Sequence, residues 1–316
     1  MGAVLTELWK KRPNASEHLR TQLGRLEMKT PLSVASGTFD LENLEFFDSA
    51  CLGAFVCKTI TREPKLGNPQ PRLYESEAGL INSIGLQNPG LDAFIAEKLP
   101  IYRERLHLPL IVSFSGSSID EFEEMLERLE QCPGINGYEI NISCPNVENE
   151  GIAFGVSPDI VHSLVLRLSK LTKRELCVKL SPNVTDIAAI AQAAEAGGAS
   201  SLALINSVWG MAIDHATGKS RIRKGIAGYT GIGIKPIALA LTYKTARSVD
   251  IPILAMGGIY TWRDALEFIW AGASAISIGT ANFVNPLAAP ELIMGLGEYL
   301  LEHDLKLKDI IGKVSF

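Results

Sequence analysis

Short apolar segments rich in β-branched residues alternate along this chain with longer segments in which apolar residues recur every three or four positions. The first pattern is typical of strands buried on both faces of a parallel sheet, and the second of the amphipathic helices that cover such a sheet. Eight such apolar segments occur, and we predict a strand at each. The predicted strands are 32–37, 53–60, 109–116, 137–144, 176–182, 201–207, 252–258 and 275–281.

The segments between the predicted strands contain signals for the starts of helices. Ser118 with Glu121 fits a capping box, in which the serine oxygen accepts a hydrogen bond from the backbone N–H three residues later. Pro158 fits the first position of another helix, where its missing N–H is not needed. Thr261 with Asp264 resembles a further cap. These signals favour a helix after each of three predicted strands.

Eight strand–helix units in one chain predict an α/β fold, the (β/α)8 or TIM barrel, in a single domain. The segments 61–107 and 208–250 are longer than one crossover helix requires, so we expect them to form excursions over the carboxyl-terminal mouth of the barrel. No linker or low-complexity tract interrupts the pattern, and we assign residues 1–22 to an N-terminal extension and residues 23–316 to the barrel domain. The alternative fold is an open, doubly wound sheet.

Composition narrows the class of protein. Of the 316 residues, 47% are hydrophobic and 21% are charged, which argues against disorder. The net charge of −5 and a pI near 5.7 give no electrostatic support for binding to nucleic acid or to an anionic membrane. No apolar run approaches the roughly 20 residues that span a bilayer, and the first residues are too polar for a signal peptide. We therefore expect a soluble, cytoplasmic enzyme.

The five cysteines form no CxxC pair and do not alternate with histidines at the spacing of metal ligands. This pattern argues against structural zinc or an iron–sulfur cluster within the chain, and we predict no metal site. An odd number of cysteines without a signal peptide fits a reducing compartment. We interpret Cys51, Cys57, Cys132 and Cys177 as buried and inert, which is the common state of a free cysteine.

Polar residues and glycines collect where the predicted strands end rather than where they start. In a barrel, the carboxyl ends of the strands and the loops that follow them build the active site. We therefore expect the site at this end. The residues are Ser36, Lys58, Asn141, Cys144, Lys179, Asn206 and Thr280, together with Gly37, Gly257, Gly258 and Gly279.

Two neighbouring predicted strands end in glycine-containing sequences, MGGI at 256–259 and IGTA at 278–281. Glycine lets backbone N–H groups approach an anion closely, and the N-terminus of a following helix adds a favourable dipole. The pair therefore predicts a phosphate site, whereas a single such sequence could simply allow a tight turn.

Lys58 and Lys179 each end an apolar strand. They could neutralise a bound anion or polarise the carbonyl of a heterocycle, or each could extend to solvent at the rim. Cys144 starts a loop over the mouth because Pro145 stops the strand before it. A thiol at that place can act as an acid or a base, so we predict that Cys144 is the reactive cysteine.

Four carboxamides fall near the predicted mouth, at Asn82, Asn141, Asn146 and Asn206. Carboxamides both donate and accept hydrogen bonds, which suits the imide-like edge of a pyrimidine. For Asn82 and Asn146 a role in a turn is the alternative. The cationic run 219–224 is interpreted as a solvated loop, with a contact to a partner or substrate as the alternative.

These residues stand in motifs that closely resemble those of the dihydroorotate dehydrogenases, in particular the cytosolic class 1 enzymes. The resemblance extends from about Leu23 to the last predicted helix. It implies a barrel that contains FMN and oxidises dihydroorotate to orotate in pyrimidine biosynthesis. The motifs are ASGT at 35–38, REPKLGNPQPR at 62–72, INSIGLQNPG at 81–90, NISCPN at 141–146, VKLSPN at 178–183, LINS at 204–207, GYTGIGIKP at 228–236, MGGI at 256–259 and IGTA at 278–281.

The resemblance also implies roles for individual residues. Cys144 would be the base that removes the C5 proton of dihydroorotate while the C6 hydride passes to the flavin. The substrate would be held by Lys58, Asn82, Ile84, Gly85, Leu86, Asn141, Asn146, Asn206 and Ser207. The flavin would be lined by Ser36, Lys58, Thr59, Asn141, Lys179 and Ile205, and its ribityl phosphate by Gly231, Gly257, Gly258, Gly279 and Thr280.

The subclass follows from further details of the resemblance. Class 2 enzymes, which are membrane-bound, carry serine in place of Cys144. Three segments are more similar to the NAD-linked type 1B than to the fumarate-linked type 1A. They are REPKLGNPQPR at 62–72, NPGLDAF at 88–94 and AFGVSP at 153–158. Type 1B implies a partner subunit with FAD and a [2Fe–2S] cluster, in a heterotetramer around a homodimer. The chain departs from the pattern at Asp40, where glycine is expected, and in the acidic segment 147–151.

Four alternatives stand beside type 1B. The chain could be a fumarate-linked type 1A enzyme, or another FMN barrel that reduces a pyrimidine, as dihydropyrimidine dehydrogenase does. A dihydrouridine synthase would act on tRNA and should show a basic face, which the pI of 5.7 does not support. A non-catalytic flavin- or phosphate-binding scaffold would function without the thiol of Cys144.

Overall fold

The computed structural model describes residues 17–142 and 154–316, so residues 1–16 and 143–153 lie outside the described ranges. Strands and helices alternate through most of the chain. The strands are β1 (Thr21–Leu23), β2 (Leu26–Met28), β3 (Leu32–Val34), β4 (Phe55–Val56), β5 (Leu73–Ser76), β6 (Gly79–Asn82), β7 (Leu110–Phe114), β8 (Gly137–Asn141), β9 (Glu175–Lys179), β10 (Ser201–Leu204), β11 (Val208–Gly210), β12 (Ala227–Thr230), β13 (Ile253–Met256) and β14 (Ala275–Ile278).

Helices follow most strands and lie between them in the chain. A helical stretch in the second half of segment 61–107 contains a π-helical segment (Phe94–Lys98) between two α-helical segments. Within the described ranges, no helix has both the length and the apolar character of a membrane span. The helices are α1 (Leu91–Ala93), α2 (Leu99–Arg105), α3 (Ile119–Glu130), α4 (Pro158–Leu171), α5 (Ile187–Ala196), α6 (Lys235–Ala246), α7 (Trp262–Ala271), α8 (Ala281–Val284), α9 (Ala288–Glu302) and α10 (Leu307–Ile310).

Eight parallel strands form the central ring, in the order β3, β14, β13, β10, β9, β8, β7, β4. The ring closes between its first and last strands, where the backbone N–H of Gly53 donates to the carbonyl of Leu32 at 2.8 Å. Each strand lies inside one of the eight apolar segments of the sequence or within one residue of it. The prediction of a TIM barrel is therefore confirmed, and an open sheet is excluded by the contact that closes the ring.

Alternation along the strands separates two cores. In β8, Tyr138 and Ile140 point outward and pack in the core between the ring and the helices. The barrel interior is filled by a separate, smaller cluster that includes Ile111, Cys177 and Leu254. Because successive side chains of a strand point to opposite faces, the residues between the outward positions are forced into the interior.

A hairpin of β1 and β2 closes the amino-terminal end of the barrel. Leu23 and Met28 belong to the interior cluster, and the backbone N–H of Arg25 donates to the Glu175 carboxylate at 2.6 Å. Leu19, just before the hairpin, is fully buried. The boundary expected after residue 22 therefore falls inside β1, and residues 17–22 pack as part of the barrel.

The two long excursions meet in one antiparallel sheet, in the order β11, β12, β6, β5. β5 and β6 come from the segment 61–107, while β11 and β12 come from the segment 208–250. The join is made by β6 and β12, where Asn82 lies opposite Gly228. The excursions were expected over the mouth, but their pairing with each other was not predicted from the sequence.

Three predicted helix starts are observed, one with a different partner. Thr261 and Asp264 form a full capping box at the start of α7. Pro158 occupies the first turn of α4. The Ser118 oxygen accepts from the backbone N–H of Glu121 at 3.1 Å, but the Glu121 carboxylate accepts from the neighbouring Ser117 N–H. The expected reciprocal bond at Ser118 is thus shifted by one residue.

The cap of α7 leads to a stability prediction. Thr261→Ala removes the hydroxyl that accepts from the Asp264 N–H, so we expect the free energy of unfolding to fall by about 1 kcal/mol. Urea unfolding followed by circular dichroism measures the change. The matched control is Thr185→Ala, at an exposed position outside any helix. An equal loss in both variants would contradict this role for the cap.

Candidate active site

A cavity of about 670 Å³ opens at the carboxyl-terminal end of the barrel, between the strand ends and the excursion sheet. Residues at or just after the ends of seven of the eight ring strands line it, and β7 is the exception. The sheet of the two excursions supplies the opposite wall, with Asn82 from β6 and Gly228 from β12. Barrel ends of this kind commonly carry small-molecule sites.

The structure brings most of the predicted site residues together in this cavity. All of those predicted for the flavin line it, and so do the substrate residues within the described ranges. Cys144 and Asn146 lie outside the described residues. The residues in the cavity are Ser36, Lys58, Thr59, Asn82, Ile84, Gly85, Leu86, Asn141, Lys179, Ile205, Asn206, Ser207, Gly231, Gly257, Gly258, Gly279 and Thr280. Their individual roles remain predictions.

A chain of hydroxyl groups runs from the cavity wall into the barrel interior. The oxygens of Ser36 and Thr59 are 2.9 Å apart, and the Thr59 oxygen is 2.9 Å from that of Ser113. Ser113 donates to Oε1 of Glu139 at 2.8 Å. The Asn141 side-chain amide donates to Thr59 from the cavity side at 3.3 Å.

The carboxylate at the end fixes the direction of this chain, because a carboxylate only accepts. Ser113 donates its proton to Glu139, so Thr59 must donate to Ser113. Ser36 must in turn donate to Thr59, while its own oxygen accepts from the Thr59 backbone N–H at 2.8 Å. The protons of three hydroxyl groups are therefore ordered towards the interior.

Two lysines bring positive charge to the cavity. The side chain of Lys179 is only 6% exposed and its Nζ lies 3.5 Å from Oε1 of Glu139, so the alternative in which this lysine extends to solvent is wrong. Lys58 is half-buried and also lines the cavity. The Lys58 side chain has room because residue 37, with a φ of +77°, is a glycine. A Cβ at this position would lie 2.9 Å from Lys58 Nζ. This positive charge suits an anionic ligand.

The glycines at the ends of β13 and β14 form a cradle. Gly258 has a φ of +80°, and a Cβ there would lie 2.6 Å from Lys235 Cβ at the start of α6. Gly279 has space above it, since its Cβ would meet Ala35 and Thr38 only at 3.5 and 3.7 Å. Backbone close to a helix start, with no side chain in the way, is the arrangement that binds phosphate.

Carboxamides line the cavity on the side of the excursions. The Asn82 side-chain amide donates to the carbonyl of Gly228 at 3.3 Å, which ties it to the paired strands. Asn183, which was not predicted, donates to the Ser207 carbonyl at 3.0 Å and accepts from the Trp209 N–H at 2.9 Å. Its place after Pro182 in the VKLSPN motif was the available signal.

Sequence reasoning also missed Glu139 and Ser113, which lie deeper than the cavity lining. Both lie in apolar strands, and Glu139 stands two positions before Asn141, so alternation places it on the same inward face. In the cationic run 219–224, Lys224 lines the cavity, whereas Arg221 pairs with Asp214 at 3.1 Å. The run is thus neither wholly a solvated loop nor wholly a ligand contact.

Comparison with known proteins agrees with the fold and the cavity. A family model described as dihydroorotate dehydrogenase matches residues 18–300. A relative from Thermoanaerobacter pseudethanolicus is 45% identical over 301 residues, covering 94% of this chain and 99% of that protein. It is described as the catalytic subunit of dihydroorotate dehydrogenase B (NAD(+)).

Two further relatives carry the same description. The protein of Geobacillus kaustophilus is 45% identical, covering 88% of this chain and 89% of its own length. That of Pelobacter propionicus is 43% identical, covering 94% of this chain and 98% of its own length. The family model spans every barrel strand and both excursions that enclose the cavity. On this evidence, the chain belongs to the dihydroorotate dehydrogenase family.

Proposed function

We propose that this chain is the FMN-binding catalytic subunit of an NAD-linked dihydroorotate dehydrogenase, which oxidises dihydroorotate to orotate in pyrimidine biosynthesis. In this proposal the electrons leave through a partner subunit that carries FAD and a [2Fe–2S] cluster. The observation that carries the proposal is the convergence, in one cavity, of the flavin and substrate residues that lie within the described ranges. The names of the relatives, each a catalytic subunit with NAD(+) as acceptor, support the choice of subclass.

The residues of the cavity fit FMN. Its volume of about 670 Å³ lies within the range of roughly 300–1,000 Å³ that is usual for ligand and cofactor sites. The cradle at Gly257, Gly258 and Gly279 offers backbone without side chains for a phosphate, and Lys179 supplies a positive charge at the inner end. When bound, FMN would supply a hydride acceptor for C6 of dihydroorotate.

The chain's own residues would bind and orient the substrate. Dihydroorotate carries a carboxylate and an imide-like ring edge, so it needs a cation and groups that both donate and accept. Lys58 provides the cation, Asn141 and Asn206 provide carboxamides at the strand ends, and Asn82 provides a further carboxamide from the opposite wall. The positive charge of Lys179 would stabilise negative charge that develops on the isoalloxazine ring.

The base is assigned to Cys144, which would take the C5 proton. Three of the buried cysteines, Cys51, Cys57 and Cys177, are poor candidates, because burial disfavours their thiolates. Burial raises the pKa of the Cys57 thiol to about 12, and it raises the pKa of the Cys177 thiol well above its usual value. Burial likewise raises the pKa of Cys51. At neutral pH these groups stay protonated and remain poor proton acceptors.

An anaerobic titration with dihydroorotate tests the reaction. We expect the purified, FMN-loaded protein to lose its oxidised-flavin absorbance on addition of dihydroorotate. Cys144→Ser should keep its FMN but reduce it at least about 100-fold more slowly, the usual contribution of a positioned base. Dihydrouracil, which could also donate a hydride, serves as the comparison compound. Loss of flavin absorbance with dihydrouracil and none with dihydroorotate would contradict the proposed substrate, and unchanged kinetics in Cys144→Ser would contradict the base.

A second assay tests the electron acceptor. Without the partner, we expect the chain to transfer electrons neither to NAD+ nor to fumarate at an appreciable rate. Mixed with a subunit that carries FAD and [2Fe–2S], it should form NADH, measured at 340 nm, in proportion to the dihydroorotate consumed. Rapid fumarate reduction by the chain alone would instead place it in type 1A.

The cradle leads to a prediction about flavin binding. Gly279→Ala adds a methyl group that the fold accommodates, since its nearest neighbours, Ala35 and Thr38, would be 3.5 and 3.7 Å away. Both neighbours line the cavity, so the added group would take up space that we assign to the phosphate. We expect the dissociation constant for FMN to rise at least about tenfold, measured by the quenching of flavin fluorescence. The melting temperature of the flavin-free protein should stay unchanged. Unaltered FMN affinity would place the phosphate elsewhere.

A further inference from the structure

Glu139 is a buried carboxylate for which the proposed reaction has no role. It lies in the middle of β8, faces the barrel interior and is 1% exposed. Charged groups are seldom fully buried unless they are paired, because removal from water costs far more than one hydrogen bond returns. Its presence beneath the cavity therefore requires an explanation from its partners.

The two oxygens of this carboxylate are treated differently. Oε1 accepts from the Ser113 hydroxyl at 2.8 Å and lies 3.5 Å from Lys179 Nζ. Oε2 is buried and has no hydrogen-bond partner within residues 17–142 and 154–316. Its charge also contributes, after burial, to the raised pKa values of the thiols of Cys57 and Cys177, so both thiols are neutral and neither offers a counter-charge.

Strand register places Lys179 between Glu139 and the cavity. In the parallel pair of β8 and β9, Lys179 lies opposite Asn141, and Cys177 lies opposite Glu139. Lys179 is thus one inward position nearer the mouth and contacts Glu139 along the diagonal, which a long side chain can reach. Lys179 lines the cavity and Glu139 does not. Glu139 can therefore influence a ligand only at a distance, by its charge and by what it does to this lysine and to the hydroxyl chain.

The pair has consequences for both partners. An ammonium group buried without a counter-charge is strongly unfavourable, so the carboxylate stabilises the charge of Lys179 at the inner end of the cavity. At the same time the negative charge offsets part of the field that the ammonium exerts on a ligand. Ser113 holds Oε1 in place, and Thr59 continues the contact to Asn141 in the cavity wall.

We propose that Glu139 is a positioning residue that fixes the ammonium of Lys179 beneath the flavin and lowers the reduction potential of the bound FMN by offsetting that charge. The inference rests on the proposed function, because it requires FMN in this cavity. It assigns to Glu139 no contact with flavin or substrate. Its effect is transmitted by a single ion pair.

Glu139→Gln tests the proposal, since glutamine keeps the shape and an acceptor for Ser113 but removes the charge. With the charge of Lys179 no longer offset, reduced FMN should bind more tightly relative to oxidised FMN. We expect this ratio to change about tenfold, which for a two-electron couple is a rise in midpoint potential of about 30 mV. Spectroelectrochemical titration of the FMN-loaded protein measures it.

Two further variants show whether the ion pair carries the effect. In a Lys179→Met background, Glu139→Gln should cause little further rise, because a buried carboxylate that has lost its counter-charge is neutralised by a proton and the amide then replaces an uncharged group. Glu175→Gln is the matched control, since Glu175 is also buried but lies at the other end of β9 and bonds to Ser201 and Arg25 rather than to a lysine. The same rise with Lys179 absent, or no rise in Glu139→Gln alone, would overturn the proposal.

A measurement without flavin separates this inference from the proposed function. In urea unfolding of the flavin-free protein, Glu139→Gln and Lys179→Met should each lower the unfolding midpoint. The double variant should lose less than the sum of the two, since neither charge is then left buried alone. Additive losses would contradict the pair even if FMN binds. Failure of the wild-type protein to bind FMN would contradict the proposed function while leaving this coupling measurable.

Discussion

Closing eight strands into a ring forces every second side chain into a space that water cannot fill freely, and the other features of this protein follow from that constraint. At the amino-terminal end the space is filled by small and apolar residues, with Leu23 and Met28 of the hairpin among them. Towards the other end the inward positions are polar. Polar groups in such a place must satisfy one another, so Ser113, Glu139 and Lys179 are joined rather than scattered.

The sheet of the two excursions, which forms the cavity wall opposite the strand ends, depends on a different constraint. Each excursion alone contributes two short strands, and an isolated two-stranded hairpin is marginally stable in water. By pairing β6 with β12 across about 150 residues of chain, the protein makes a four-stranded sheet that can hold its shape above the mouth. The carboxamide of Asn82 is tied to Gly228 by the same join. The site is therefore shared between a rigid barrel and a sheet that exists only when both excursions are folded.

Local patterns in the sequence predicted the features that depend on residues close together in the chain. Short apolar segments predicted the ring strands, and the strand-end positions of Lys179 and Gly258 predicted residues that line the cavity. The pairing of the two excursions could not be predicted in this way, because no periodicity links Asn82 to Gly228. The partner of Glu121 was displaced by one residue, since two adjacent serines offered almost equivalent N–H groups.

Glu139 is a different case, because the information was present. A carboxylate two positions from Asn141 in a strand buried on both faces must point inward by alternation alone. The strand-end pattern does not include Glu139, because this residue lies in the layer beneath the residues that line the cavity. Which lysine it would pair with depends on the register of β8 and β9, which a single sequence does not reveal.

The ordered hydroxyl chain has a consequence for what the cavity can recognise. The Ser36 hydroxyl donates its only proton to Thr59 and already accepts from the Thr59 backbone N–H. Its remaining hydrogen-bonding capacity is one lone pair, which can accept from a ligand. A carbonyl or phosphate oxygen placed against the Ser36 hydroxyl oxygen would be repelled, because both are acceptors. An N–H group placed there could donate a hydrogen bond to that oxygen. The Glu139 carboxylate, three steps along the hydrogen-bond chain, thus makes the Ser36 hydroxyl act only as an acceptor. Ser36 is therefore selective for ligand groups that donate, although a serine hydroxyl in general can both donate and accept.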